Sequence, residues 1–270
     1  MNDLLSAVVT MTLQVASISD PGGRQVNEDA CKFSAQGPLA CFAVSDGVGG
    51  EVGGELAART VVETILAEFD AGPAVSEHAL ARYLDSTKKE VAHQQSTDPI
   101  LKNMSATIAV ALVDSVHARI HWGHLGDTRI YHFRDGRVHR MTKDHSAVQQ
   151  LVDAGLCAPE RIRSHPLRSS LLGAIGITDE EDADIACDVA YSSDHLENGD
   201  ALLLCTDGFW EWITESEMET TLREASSVTN WLGAMDHIAQ HNSSSSRHPR
   251  DNYTAIAIRV ADQEPLLQQA

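Results

Sequence analysis

The stretch Leu39-Ala40-Cys41-Phe42-Ala43-Val44-Ser45-Asp46-Gly47-Val48-Gly49-Gly50 runs an apolar segment of strand length straight into an acidic, glycine-rich turn. Three other places put a carboxylate where a strand-like run meets a loop: Asn27-Glu28-Asp29, Thr206-Asp207-Gly208 after the run Ala201 to Cys205, and Asp251-Asn252 before the run Thr254 to Val260. Taken singly, Asp-Gly and Asp-Asn are common turn pairs, because Asp bonds its own backbone and Gly takes positive φ. Four such turns, each closing an apolar run, say more. Carboxylates gathered from four distant segments repel one another, and the gathering is tolerable when cations neutralise it. The chain therefore reads as the shell of a multi-ion site for hard metals.

Outward from these turns, the remaining β-type runs are Leu13 to Ile18, Thr107 to Val113, Arg119 to Gly123 and Arg129 to Phe133. Their lengths and their bounding Gly and Asp residues suit the strands of a sandwich. Helical spacing connects Leu56, Ala57, Val61, Ile65 and Phe69, then Leu80, Leu84 and Val91, then Val148, Leu151 and Val152; further helices are expected over Ser216 to Glu224 and Ser227 to His241. Strands come in groups rather than alternating with helices, which argues for an α+β fold of antiparallel sheets with helices packed outside. Nothing in the composition asks for a second domain. The patch Ser243 to Ser246 has no periodicity and is expected to be a mobile surface loop, and residues 263–270 a short polar tail.

Lys and Arg number 20 against 39 Asp and Glu, a formal net charge of -19 over 270 residues. Such a surface disfavours nucleic acid and anionic membrane, whose sequence-independent attraction works through Lys and Arg. Cys31, Cys41, Cys157, Cys187 and Cys205 are odd in number and contain no Cys-x-x-Cys pair, which suits reduced thiols in a cytoplasmic protein. No basic residue precedes the apolar run Leu4 to Leu13, so no secretory signal is expected, and no run is long enough to span a bilayer.

Six segments carry a family resemblance: Arg24-Gln25-Val26-Asn27-Glu28-Asp29, Asp46-Gly47-Val48-Gly49-Gly50, Gly126-Asp127-Thr128-Arg129, Lys143-Asp144-His145-Ser146, Asp207-Gly208 and Asp251-Asn252-Tyr253-Thr254. In this order, over Thr12 to Val260, they resemble the metal-dependent type 2C protein serine/threonine phosphatases, and among these the small stand-alone bacterial members. The resemblance implies a four-layer α-β-β-α sandwich forming one catalytic domain over residues 1–262. It implies a monomer that removes phosphate from phosphorylated protein substrates, at phosphoserine and phosphothreonine, opposing a Hanks-type Ser/Thr kinase. Hydrolysis of a phosphate monoester at neutral pH needs a strong nucleophile and relief of negative charge, and two divalent ions sharing a water or hydroxide supply both.

By the same resemblance, Asp46 bridges two Mn²⁺ or Mg²⁺ ions. The backbone carbonyl of Gly47 and the carboxylate of Glu28 complete one shell, and Asp207 and Asp251 hold the other ion. Asp29 orients waters from further out, and Asp127 shares a third, weaker ion with Asp207. Arg24 is the expected phosphate clamp, a guanidinium that pairs bidentately with two phosphate oxygens. Catalysis is thus expected to rest on Arg24, Asp46 and Asp207. Some relatives place a histidine directly after the Asp-Gly pair and many bacterial ones after Gly-Gly; here Val48 and Glu51 stand there, so no side chain is assigned as general acid.

Arg247, His248 and Arg250 abut Asp251, and Arg247 and Arg250 are expected to bind substrate as a basic island that draws acidic phosphoproteins. Cys157 and Arg163, followed by Ser164, satisfy the Cys-x5-Arg-Ser spacing of cysteine-dependent phosphatases. The intervening Ala158-Pro159-Glu160-Arg161-Ile162 offers no Gly, a Pro without an N–H and an acidic side chain, a poor phosphate cradle. A catalytically inert scaffold that binds a phosphoprotein or kinase is the other alternative, and the full set of carboxylates argues against it. Six histidines from His117 to His145 invite a transition-metal reading but read as polar positions on a solvated face. Trp210, Trp212 and Trp231 are expected in the core.

Overall fold

Strand β3 (Leu39–Val48) sends successive side chains to opposite faces and is buried on both. Cys41 and Ala43 enter one apolar cluster, with Ala57, Val61, Ile65 and Phe69 of helix α1 (Gly54–Ala71) and Leu80, Tyr83 and Leu84 of helix α2 (Glu77–Thr97). Ala40, Phe42 and Val44 enter another, which is the interface between two sheets. The computed structural model describes residues 11–48, 53–177, 188–246 and 249–262.

One sheet has the order β2 (Asp29–Gln36), β3, β5 (Ile108–Asp114), β6 (Arg119–Leu125) and β9 (Ala190–His195), with the short β4 (Ser105–Ala106) pairing to the end of β3. The other has the order β1 (Met11–Asp20), β11 (Tyr253–Asp262), β10 (Ala201–Cys205), β7 (Arg129–Arg134) and β8 (Arg137–Met141). Among the described residues every named strand pair is antiparallel. On the outer face of the second sheet, Leu203, Ala255 and Ala257 pack against Met218 and Leu222 of α5 (Glu215–Glu224) and Trp231 and Met235 of α6 (Val228–Ser243). Short helices α3 (Ala147–Asp153) and α4 (Asp207–Trp210) add Val148, Phe209 and Trp210 to the same cluster. Three apolar interfaces thus separate four layers, the expected α-β-β-α sandwich. Trp210 and Trp231 are core residues, and Trp212 packs half-buried at its margin.

Two expectations change. Helix α6 continues to Ser243, and Ser244 stays αR while its hydroxyl donates to the carbonyl of His241, so the serine patch begins inside a helical end rather than a loop. The histidines do not share a solvated face: His124 and His132 are buried, because neighbouring carbonyl and carboxylate oxygens satisfy one ring nitrogen of each.

Register explains why the acidic turns meet. Asp29 at the start of β2 lies opposite Asp46 near the end of β3. In the other sheet Cys205, the last residue of β10, lies opposite both Arg129 at the start of β7 and Ala255 near the start of β11. The turns that carry Glu28, Asp46, Asp127, Asp207 and Asp251 therefore leave the two sheets at one common edge.

Candidate metal centre

Glu28, Asp46, Gly47, Asp127, Asp207 and Asp251 line one cleft of about 220 Å³, with Arg24 at its mouth. Asp46 is held by its backbone, whose N–H donates to Thr107 Oγ1 at 3.0 Å while its carbonyl accepts from Thr107 N at 2.9 Å. Asp207 opens helix α4, so its carboxylate sits where a helix presents unpaired N–H groups. Asp127 precedes β7, and its carbonyl accepts a 2.9 Å bond from the indole of Trp210. Asn252 holds the loop that carries Arg24 and Glu28: its amide donates to the carbonyls of Pro21 and Val26, and its side-chain oxygen accepts from Glu28 N.

Close backbone approach is built in. A Cβ at Gly47 would collide with the backbone of Gly54, and one at Gly54 would sit 2.8 Å from Glu28 Oε1. Larger residues at either position would push Glu28 or the start of α1 away. Gly49, Gly50 and Glu51 lie outside the described residues.

The electrostatics demand cations. Burial raises Asp46 well above the usual carboxylate range, and the charges of Asp29, Asp207, Asp127 and Asp251 add to it. Burial and then Asp207 do the same to Asp127. Burial carries Asp207 up to about 6, with Asp251 adding, and Asp29 up to about 7 against the bond it accepts from Thr206 Oγ1. Burial also raises Glu28, with Arg24 working in the other direction. These groups cannot all be ionised at neutral pH unless positive charge enters the cleft. Asp29 Oδ1 is buried without any hydrogen-bond partner, a free acceptor for ordered water beside the cleft. An all-oxygen donor set with an orphaned acceptor behind it fits hard divalent ions.

Around the cleft, buried pairs fix the scaffold. Arg129 donates through Nε and Nη2 to the two oxygens of Asp144, each at 2.7 Å, and its guanidinium lies 3.5 Å over the Trp210 ring. The segments around Asp127 and Asp144 are therefore one unit. Thr107, Thr206 and Asn252 position the carboxylates, and no charge pattern in the sequence marks them; Asn252 alone stands out, as the residue after Asp251.

Arg250 requires a correction. Its guanidinium is buried, 3.4 Å over the Tyr253 ring, with Nε donating to the carbonyl of Gly208 and Nη1 facing Asp236. It braces the Asp207-Gly208 turn and has no exposed charge to offer a substrate; Arg247 and His248 lie outside the described residues. The Cys157–Arg163 reading fails as well. Pro159–Ser164 coils into a 3-10 helix, and Arg163 is spent on the carbonyls of Trp210 and Ile213 and on Glu215.

A family profile described as Protein phosphatase 2C matches residues 22–248. The chain is 32% identical over 219 residues to the serine/threonine protein phosphatase PstP of Mycobacterium tuberculosis, which covers 80% of this chain and 40% of that protein. It therefore spans well under half the length of that relative. It is 28% identical over 214 residues to protein phosphatase PhpP of Streptococcus pneumoniae, covering 76% of this chain and 82% of that protein. Among solved structures, the catalytic domain of PstP in complex with two manganese ions superposes with a TM-score of 0.74 at 27% identity, covering 94% of this chain and all of that one.

Proposed function

The chain belongs to the protein phosphatase 2C family, and on that premise we propose that it is a metal-dependent phosphatase hydrolysing phosphoserine and phosphothreonine in proteins. The observation that carries this reading is the convergence of Glu28, Asp46, Asp127, Asp207 and Asp251 on one cleft with Arg24 at its mouth. Glu28, Asp46, Asp207, Asp251 and the carbonyl of Gly47 would hold two Mn²⁺ or Mg²⁺ ions, and Asp127 with Asp207 a third. Bound there, such ions neutralise phosphate charge and lower the pKa of water so that a nucleophile exists at neutral pH. The retained ligand set leaves an inert scaffold without support.

The chain's own groups do the rest. Arg24, half-exposed and 2.7 Å from Asp251 Oδ2, is free to exchange that exposed ion pair for two oxygens of a phosphate. Asp29, through its unpartnered oxygen, would accept a hydrogen bond from a water ordered beside the cleft. No histidine is among the described residues lining the cleft, and Val48 lines it without a proton to give, so no side chain is assigned as the acid for the departing alkoxide. Residues 1–262 would act as one monomeric catalytic unit with 263–270 as a tail. Phosphoproteins as substrates, a Ser/Thr kinase as the opposing enzyme and residence in the cytoplasm are parts of the proposal. They are supported by the relatives' names, the acidic surface and free thiols at Cys41 and Cys205. No helix among the described residues is long and apolar enough to cross a membrane.

Phosphate release from a phosphothreonyl peptide tests the activity. Wild type and Cys157→Ser should release it at equal rates with Mn²⁺ present, and a loss confined to Cys157→Ser would return the chemistry to the thiol. Arg24→Ala should mainly raise KM, because a clamp holds phosphate in ground and transition states alike. Arg24→Lys should rescue it only partly, since a point charge loses the bidentate geometry. Steady-state kinetics with an unchanged KM in both variants would make Arg24 structural.

A further inference from the structure

His132 of β7 is fully buried and donates through Nε2 to Asp200 Oδ2 at 2.8 Å. Asp200 also accepts from Arg134 at both oxygens, so it is an ionised acceptor and the proton between the two belongs to His132 Nε2. Nδ1 faces Asp194 Oδ2, 3.4 Å away, and neither atom has a hydrogen-bond partner although both are buried. His139 Nε2 stands 3.3 Å from the same Asp194 oxygen, its ring perpendicular to that of His132 at 86°.

We propose that His132 Nδ1, His139 Nε2 and Asp194 Oδ2 are the ligands of a second, transition-metal site, built for Zn²⁺ and separate from the acidic cleft. Tetrahedral zinc bonds imidazole nitrogen and carboxylate oxygen at about 2.0–2.2 Å, which sets ligand atoms about 3.3–3.5 Å apart. The two spacings to Asp194 match those edges, and all three ligand atoms lie within 4.8 Å of one another. Two imidazoles and one carboxylate suit zinc, whereas the oxygen-only cleft suits magnesium and manganese. Asp200 supplies the carboxylate behind a metal-bound histidine that fixes its tautomer. Arg140 comes no nearer than 3.6 Å to Asp194, because it donates to Ser192 and Ser193. His139 is 39% exposed, so the ion has a path in and a water can complete its shell.

The place in the fold gives the ion its work. His132 and His139 belong to the hairpin at the edge of one sheet and Asp194 to the edge strand of the other, so zinc would tie the two sheets together. His132 lies three residues beyond Arg129 along β7, roughly 10 Å from the end that borders the cleft at about 3.3 Å per residue.

Zinc binding to chelator-stripped, full-length protein, measured by competition with a chromophoric zinc chelator in excess Mg²⁺, tests this. Wild type and Asp46→Asn should each hold one zinc per chain. His139→Ala, a change at an exposed position, and Asp194→Asn should each weaken binding by about 100-fold or more, beyond the effect of losing an outer partner. Circular dichroism should show all four proteins folded. Absence of a competitive zinc in wild type, equal retention by His139→Ala, or loss in Asp46→Asn would each overturn the site.

Discussion

Asp46→Asn should lower kcat on a phosphothreonyl peptide by on the order of 10² or more, and Asp207→Asn by a similar factor, since the ions these side chains hold both position the nucleophile and stabilise developing charge. KM should move far less. The same substitutions should leave the chelator-stripped protein at least as stable as wild type. Each removes an ionisable group from a cluster in which burial, and then the charges of Asp29, Asp207, Asp127 and Asp251, already raise Asp46. Activity lost with stability kept is the signature of a ligand rather than a strut, and kinetics beside thermal unfolding measure both. Loss of stability without metal would instead mark Asp46 as a packing residue.

The second large effect is structural. Asp144→Ala should cost about 3–5 kcal/mol of folding stability, because it leaves the buried Arg129 guanidinium with only Glu215, 3.8 Å away, as counter-charge. Arg129 is 3% exposed, which leaves water little access to compensate. Its stacking on Trp210, whose indole holds the carbonyl of Asp127, carries the disturbance into the cleft, so activity should fall too. Replacing Arg129 by Met together with Asp144→Leu should restore much of the stability, since no charge is then stranded. Urea unfolding decides it; a loss below about 1 kcal/mol for Asp144→Ala would mean that water reaches the guanidinium.

The acidic turns were legible because strand ends advertise themselves: an apolar run, then Asp beside Gly or Asn. Buried central strands such as β3, β5 and β10 were legible for the same reason. Strands β2, β8 and β9 were not, because each is a sheet edge whose polar outer face dilutes the apolar signal, as in Ala190-Tyr191-Ser192-Ser193-Asp194-His195. The positioning roles of Thr107 and Thr206 were not legible, because hydrogen-bond partners distant in sequence leave no periodicity, and Asn252 showed only as the residue after Asp251. Arg250 was misread for the opposite reason. A basic residue beside an acidic site suggests a surface role, yet its plane is satisfied by an aromatic ring and a carbonyl. The histidine spacing says little about His132, because burial and the carboxylates of Asp194 and Asp200 separate it from its exposed neighbours, and neither is visible in spacing.

On the proposed function, the four acidic turns form a cation site without which the chain does no chemistry. The direct measurement is phosphate release from a phosphothreonyl peptide as free Mn²⁺ is varied in a metal buffer, with Mg²⁺ in parallel. In excess chelator turnover should vanish, and it should return on adding back either ion, because oxygen ligands bind hard cations reversibly. Full turnover in excess chelator would mean that the acidic turns are not a catalytic cation site.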